Sequence, residues 1–460
     1  MSSTITPKTS FDAALRSGGF VGRVVEPLDP DYDRARAGWN GAVDRRPAAI
    51  AYASDADDVS AAIRVARSTG TPFTIRCGGH SVFGRSIRDG ALCIDLRALN
   101  GVDVDAERQI VRVGGGALIG ELDAATQKHA LAVPAGQISH TGVGGLTLGG
   151  GLGWLMRRHG LTIDSLIAAD VVLADGSSLH ASADTEPDLF WALRGGGGDY
   201  GVVTQFEFRA HRVGPTVLAG MLVYPYDRAG EAMRRTRELM RDAPEELGVF
   251  AVLLTAPPVE PFPPELRGQP VAVVSAAWCG DLEEGERVLA PLRTERPPAL
   301  DLIGPMPYVA LQSMLDPTAP HHWNYYDRLH YFDELSDELL DTLVAGFEDV
   351  PAPQAHVITG WLGGAVGRVP EGATAFGHRS ARMMTWLIGC SGDEPVAATA
   401  DWVRRLWEDM APYATGGTYV NALTPDRPIG DAYEAGVLDR LREIKRRYDP
   451  DGVFSGHGIA

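Results

Sequence analysis

Two glycine-rich stretches carry the residues best placed for chemistry: Arg76-Cys-Gly-Gly-His-Ser81, and the run from Gly136 to Gly153 about 60 positions later. Successive backbone N–H groups in such loops form nests that cradle anions, and the missing side chains let a pyrophosphate come close. A third cluster, Gly196-x-Gly198-x-x-Gly201, fits the dinucleotide fingerprint as a string but not in context. That fingerprint follows a strand and opens a helix, whereas this one follows a helical pattern and opens a strand, so a tight turn is the better reading. His321-His-Trp-Asn-Tyr-Tyr326 is either the lining of a substrate pocket or a surface strand with ordinary alternation. No third ligand stands at a recognisable spacing from His321 and His322, so no metal is expected. Cys77, Cys93, Cys279 and Cys390 are widely spaced and form no C-x-x-C pair for zinc or redox work.

These loops need strands and helices to hold them. Ile50-Ala51-Tyr52 reads as a short strand, and Ser54 with Asp57 three residues on reads as a capping box opening an amphipathic helix through Val59, Ile63 and Ala66. Gly70 closes that helix, Pro72–Arg76 forms the next strand, and the Cys77–Ser81 loop follows at its end. Further strands are expected over 91–96, 109–113, 167–173 and 202–208, with helices over 118–129 and 188–194. Gly136 to Gly153 should be a loop, since each glycine costs a helix about 1 kcal/mol relative to alanine. Beyond residue 217 come strands at 249–254, 271–278, 356–362 and 382–389. Helices follow at 336–347, 397–410 and 437–447, with proline-rich connections at 257–264 and 295–307.

Composition restricts the function. At 460 residues the chain exceeds one ordinary core, so two or three substructures sharing a cleft are expected. Hydrophobic residues make up 45% and charged residues 22%, values of a folded globular protein. The net charge of −18 repels phosphate backbones and anionic lipid surfaces, which argues against nucleic-acid and membrane partners. Met1 to Phe20 lacks the apolar core of a signal peptide and no run of about 18 apolar residues occurs, pointing to a cytoplasmic protein.

Taken together, Arg76–Ser81, Gly142-x-Gly144-Gly145-x-Thr147-Leu148-Gly-Gly-Gly151-x-Gly153-Trp154 and Asp188-Leu-Phe-Trp-Ala-Leu-Arg-Gly-Gly-Gly-Gly-Asp-Tyr-Gly-Val-Val203 resemble the berberine-bridge-enzyme-like FAD-linked oxidases. These belong to the vanillyl-alcohol-oxidase, or PCMH-type, flavoproteins. The likeness extends through Thr374-Ala-Phe-x-His-Arg379, whose His378 and Arg379 look structural, to Tyr419-Val-Asn421 and Lys445-x-x-Tyr448-Asp-Pro450. It implies an α+β fold: a two-subdomain FAD domain and an antiparallel-sheet substrate domain flanked by helices, with the C-terminal segment returning to the FAD domain. The corresponding boundaries are 1–41 for an N-terminal segment, 42–212 for the FAD domain, 213–413 for the substrate domain and 414–460 for the returning segment.

In this family the histidine after the glycine pair bonds to the flavin 8α-methyl group, and His80 holds that position. Neutral imidazole is a competent nucleophile toward an electron-poor flavin. Many relatives add a second link from a cysteine where Ile138 stands, so attachment through His80 alone is expected, with Cys77 a packing residue. The resemblance places Arg76, Cys77, Gly78, Gly79, Ser81, Gly84, Gly136, Gly142, Gly144, Gly145, Thr147, Gly150, Gly153, Val202 and Val203 at the cofactor, with Thr141, Tyr419 and Asn421 near both cofactor and chemistry. Thr141 occupies the position that gates oxygen; it either caps its turn or steers O2. Tyr419 is a candidate base, and His457 faces either flavin or solvent. The implied activity is hydride transfer from a small organic substrate to flavin N5 with O2 as oxidant. An oxygenating or redox-neutral role in natural-product assembly, dehydrogenation with another acceptor, and non-catalytic flavin binding are the alternatives. A homodimer is a possible assembly.

Overall fold

Parallel pairing of Ala49–Tyr52 and Phe73–Arg76 with Leu92–Asp95, together with antiparallel Arg23–Val25 at the edge, makes a first, four-stranded sheet. The computed structural model describes residues 10–294 and 296–459; the first nine residues of the expected N-terminal segment 1–41 lie outside them. The helix between the first two strands runs over Ala56–Ser68 and buries Val59, Ile63 and Ala66 as its pattern requires. It starts one residue later than the Ser54/Asp57 spacing suggests. Asp55 is the cap, accepting from the Asp58 N–H. Buried Asp58 instead accepts from the Ser54 N–H (2.9 Å) and from Val21 N–H (2.6 Å), tying the N-terminal strand to the helix.

A second sheet is antiparallel throughout, in the order Val102–Asp105, Ile110–Gly114, Val202–Arg209, Leu166–Val172, Ser178–Ser182. Helix Pro187–Leu193 precedes the central strand, so residues 194–201 do form a helix-to-strand turn. The third sheet has eight strands, with Thr216–Pro225, Pro270–Trp278, Leu247–Thr255, His356–Trp361, Met383–Cys390 and Tyr325–Phe332 in spatial order. Helices Ala229–Asp242, Asp337–Glu348 and Ala397–Met410 bury apolar stripes against one of its faces. The other face joins the core shared with the second sheet. The stretch 295–307, expected as a plain connection, contributes two short edge strands, Leu300–Asp301 and Gly304–Pro307. Among the described residues no helix is long and apolar enough to cross a membrane.

The run Gly136–Gly153 departs most from expectation, because Val143–Gly149 is helical. Tertiary contact overrides propensity here. A Cβ on Gly142 would lie 2.3 Å from the Gly78 nitrogen and one on Gly144 2.8 Å from the Gly115 carbonyl, so only glycine lets these backbones cross. The Val143 N–H donates to the Ala117 carbonyl (2.9 Å), tying this run to the Gly114–Ala117 turn.

The C-terminal segment then packs over this junction. Arg85 donates to the carbonyls of Leu423 (2.9 Å) and Gly456 (3.0 Å), and the Tyr433 hydroxyl donates to the Gly195 carbonyl (3.1 Å). Buried Lys445 Nζ reaches the Asp199 carbonyl (2.8 Å) and the Asp449 carboxylate (2.6 Å), fixing helix Ala435–Tyr448 against the 196–201 turn.

Candidate active site

His80 sits where the two glycine loops meet. Its ring stacks on Trp39 (centroids 4.7 Å, interplanar 16°), and Trp39 stacks on Tyr325 (3.8 Å) at the start of the strand Tyr325–Phe332. Asn40 secures the junction by accepting from the Tyr325 N–H (2.9 Å) and donating to the carbonyls of Tyr325 (2.9 Å) and Val82 (2.6 Å). His80 Nε2 lies 2.7 Å from His140 Nδ1, while His80 Nδ1 has the Thr141 hydroxyl at 3.5 Å. Burial, with His140 and His321 adding to it, pushes the His80 pKa well below its ordinary value, so the ring is neutral.

His321 joins this group, its ring 4.7 Å from His140 and 5.9 Å from His80. The surface-strand reading of the His321–Tyr326 cluster does not fit, because 321–324 is a connection that places His321 beside His80, and only Tyr325 onward is strand, with Tyr325 buried. Three-dimensional proximity also supplies the third histidine that linear spacing could not show. Ligand atoms of His80, His140 and His321 lie within 4.8 Å of one another. Around a tetrahedral zinc with nitrogens at about 2.0–2.1 Å, neighbouring nitrogens would be about 3.3 Å apart, whereas His80 Nε2 and His140 Nδ1 sit at hydrogen-bond distance, so the trio as it stands does not match that ligand set.

Tyr419 and Asn421 approach from the C-terminal segment. The Tyr419 hydroxyl accepts from Gly151 N–H (3.2 Å) and Asn421 Nδ2 (3.0 Å), and Asn421 also donates to the Gly145 carbonyl (3.2 Å). Burial pushes the Tyr419 phenol up to about 12, so at neutral pH it is protonated and offers an O–H. A residue that sequence reasoning missed lies on the strand Tyr325–Phe332, hydrogen-bonded to Trp386, whose ring packs edge-on against Tyr419. Asp327 is fully buried, accepts from Trp386 Nε1 (2.7 Å) at one oxygen and has no partner at the other. Desolvation raises its pKa to about 7. It shares a strand face with Tyr325, Leu329 and Tyr331, and a charge on that apolar alternation was the signal that could have found it. His140 and Trp39 were missed too, and no local pattern marks either.

The side chains of several residues expected at the cofactor are engaged within the protein. Arg76 is buried and donates to Asp95 (2.7 Å) and the Ala35 carbonyl (2.7 Å), facing into the first sheet rather than the loop. Val202 and Val203 point their side chains into two hydrophobic cores. Ser81 Oγ caps its turn by accepting from Arg85 N–H (3.1 Å), and Gly84 abuts Val43. The room a side chain would need at Gly78, Gly136, Gly142, Gly144, Gly150 or Gly153 is filled by protein. Thr147 is buried with its hydroxyl unpartnered. Cys77 Sγ contacts the Ala117 carbonyl (3.5 Å), and burial raises its pKa to about 11. Buried Arg379 pairs with Asp164 (2.7 Å). His457 Nδ1 is shielded without a partner, and burial lowers that ring's pKa to about 3.

A family model described as an FAD binding domain matches residues 47–182, and one described as berberine and berberine like matches 418–457. An FAD-linked oxidoreductase of Dictyostelium discoideum is 30% identical over 426 residues, 91% of this chain and 90% of its own length. The chain belongs to the berberine-bridge-enzyme-like FAD-linked oxidoreductases. It is an enzyme with the PCMH-type fold. This oxidoreductase is also similar to (R)-6-hydroxynicotine oxidase of Paenarthrobacter nicotinovorans, 29% identical over 459 residues, 94% of this chain and 95% of the relative. The crystal structure of 6-hydroxy-D-nicotine oxidase from Arthrobacter nicotinovorans superposes with a TM-score of 0.85 at 25% identity, covering 95% of this chain and 97% of that one.

The oxidoreductase offers what FAD requires. Amides of Gly79, His80, Ser81, Val82 and Phe83 donate to no acceptor among the described residues, forming an open row for an anionic or carbonyl-bearing group. A Cβ on Gly145 or Gly198 would meet nothing within 4 Å, so space for a ligand remains beside both.

Proposed function

We propose that the chain is an oxidase carrying FAD on His80 alone, which oxidises a small alcohol, amine or natural-product intermediate with O2 as the acceptor. The observation that carries this reading is His80 itself: neutral, stacked on Trp39, with Nε2 engaged by His140 and Nδ1 left as the nucleophile beside the Thr141 hydroxyl. A single link is supported by Ile138 at the position of the second attachment in relatives and by a Cys77 thiol engaged with Ala117. Bound FAD would supply a hydride acceptor and pass the electrons to O2, giving H2O2. The open amides of residues 79–83, with Gly145 and Gly198, would hold it.

The chain's own contribution is position and proton handling. Asp327, titrating near 7 on the strand that begins beside His80, is the base for the substrate O–H or N–H. Tyr419, protonated and fixed by Gly151 and Asn421, orients the substrate as a hydrogen-bond donor. Thr141, beside His80 Nδ1, stands where oxygen access is set.

To test this, the purified protein is denatured in acid and run on a denaturing gel, wild type beside His80→Ala. Flavin fluorescence that stays with the wild-type band only is the expected result. Colourless protein in both lanes would sink the reading. An oxygen electrode with candidate alcohols and amines then measures O2 uptake and peroxide release.

A further inference from the structure

We infer that His140 is the proton acceptor that activates His80 for its own flavinylation. This rests on the proposed attachment at His80, and it goes further by assigning a role to a residue that acts through His80.

The argument starts from the tautomers. A 2.7 Å contact between two imidazole nitrogens requires one N–H and one lone pair. With the proton on His80 Nε2 and donated to His140 Nδ1, the lone pair of His80 falls on Nδ1, the nitrogen that no backbone or charged group occupies. His140 thus selects the nucleophilic nitrogen, much as an orienting partner fixes the tautomer of a metal-binding or catalytic histidine. Stacking on Trp39 fixes the plane of the ring, and the contact with His140 fixes which nitrogen faces that way, since a half-turn of the ring would break it.

The reaction then balances. A bond forms between His80 Nδ1 and the flavin 8α-carbon. One proton leaves that carbon, and a second passes from His80 Nε2 to His140 Nδ1 as the imidazole acquires its bond. The electron pair of the broken C–H bond goes by way of the ring system to O2, which leaves with the two protons as H2O2.

The surroundings suit His140 to receive that proton transiently. His80 and His321 face it, neither carrying a stabilising negative charge, and burial lowers its pKa. Asp316 opposes that effect. Its carboxylate is held beside the His140 backbone by the Ser139 N–H (2.8 Å) and hydroxyl (2.5 Å), and it favours the protonated imidazole. Arg97 and His322 act on His321 rather than on His140. His140 is therefore a positioning and proton-accepting residue that works through His80.

The test follows attachment rather than turnover. Protein produced under riboflavin limitation is given FAD, and covalent flavin is read over time as fluorescence on a denaturing gel, with total bound FAD read after gel filtration. His140→Ala is expected to bind FAD at wild-type stoichiometry but to attach it on the order of 10²–10⁴-fold more slowly. Added imidazole should restore its rate in proportion to the unprotonated fraction, while the wild-type rate ignores imidazole. His140→Gln keeps a hydrogen-bond acceptor but no base and should remain slow, which guards against a folding defect in the alanine variant. Attachment at the wild-type rate in both variants overturns the proposal. Slow attachment that imidazole does not change also overturns it, because that pattern belongs to a packing role. Wild-type protein that never acquires covalent flavin, or a His80→Ala control that does, refutes the attachment site first and this inference with it.

Discussion

Replacing Asp327 by asparagine should make the protein's stability less sensitive to pH, by an amount the structure sets. The carboxyl is fully buried, with one hydrogen bond from Trp386 and one unpartnered oxygen, and burial raises its pKa from 3.8 to about 7. Because the folded-state value lies above the unfolded one, between them the native state keeps a proton that the unfolded chain has released. The stability contributed by the neutral carboxyl is therefore complete below about pH 4 and lost as pH rises through about 7. Three units at about 1.4 kcal/mol each give roughly 4 kcal/mol in all, of which roughly 3 kcal/mol falls between pH 5 and pH 8. Asp123, also raised to about 7, titrates in both proteins and cancels in the difference. Urea unfolding of wild type and Asp327→Asn at pH 5 and pH 8 measures it. Asparagine should gain roughly 3 kcal/mol relative to wild type at the higher pH. Parallel stability curves would refute the burial argument, and with it the reason for choosing Asp327 as the base. In turnover, substrate oxidation by wild type should rise with pH to a plateau above about 7, and Asp327→Asn should lose that limb and about 10²–10⁴-fold in rate.

The glycines separate by what lies over them. Gly145→Ala faces open space and should leave the melting temperature unchanged while weakening FAD binding, measured by titrating riboflavin-limited protein with FAD. Gly153→Ala would put a Cβ 1.7 Å from the Ala135 carbonyl and should lower the melting temperature whether or not flavin is present. Arg379→Ala leaves the Asp164 carboxylate without its partner and should destabilise the fold by about 3–5 kcal/mol in urea unfolding. Tyr419→Phe keeps the ring packed against Trp386 but removes the acceptor for Gly151 and Asn421. It should raise KM more than it lowers kcat, as loss of a positioning contact does.

Legibility in the sequence followed how local each determinant is. Helix Ala397–Met410 matches its expected bounds to the residue, and strand Val202–Arg209 and helix Pro187–Leu193 fall within one of theirs, because periodicity and short turns specify them. Helix Val143–Gly149 was hidden, since its glycines oppose helix formation and only the crossing of Gly142 over Gly78 makes them necessary. Arg76 stands inside the motif yet pairs with Asp95, nineteen residues away on the adjacent strand. The motif shows that the position matters without showing which way the side chain turns.

By itself, the sequence determined the class of molecule and the Cys77–Ser81 loop with its histidine, because nests and turns depend on residues close together in the chain. It also weighed against nucleic-acid partners through net charge, a sum that needs no coordinates. Tertiary structure alone decided that His140 and His321, 60 and 241 positions beyond His80, meet its ring, and that Asp327 loses water on a strand facing Tyr419. Reactivity in this site comes from burial and from contacts between distant segments, and neither is a property of any residue's immediate neighbours in the chain.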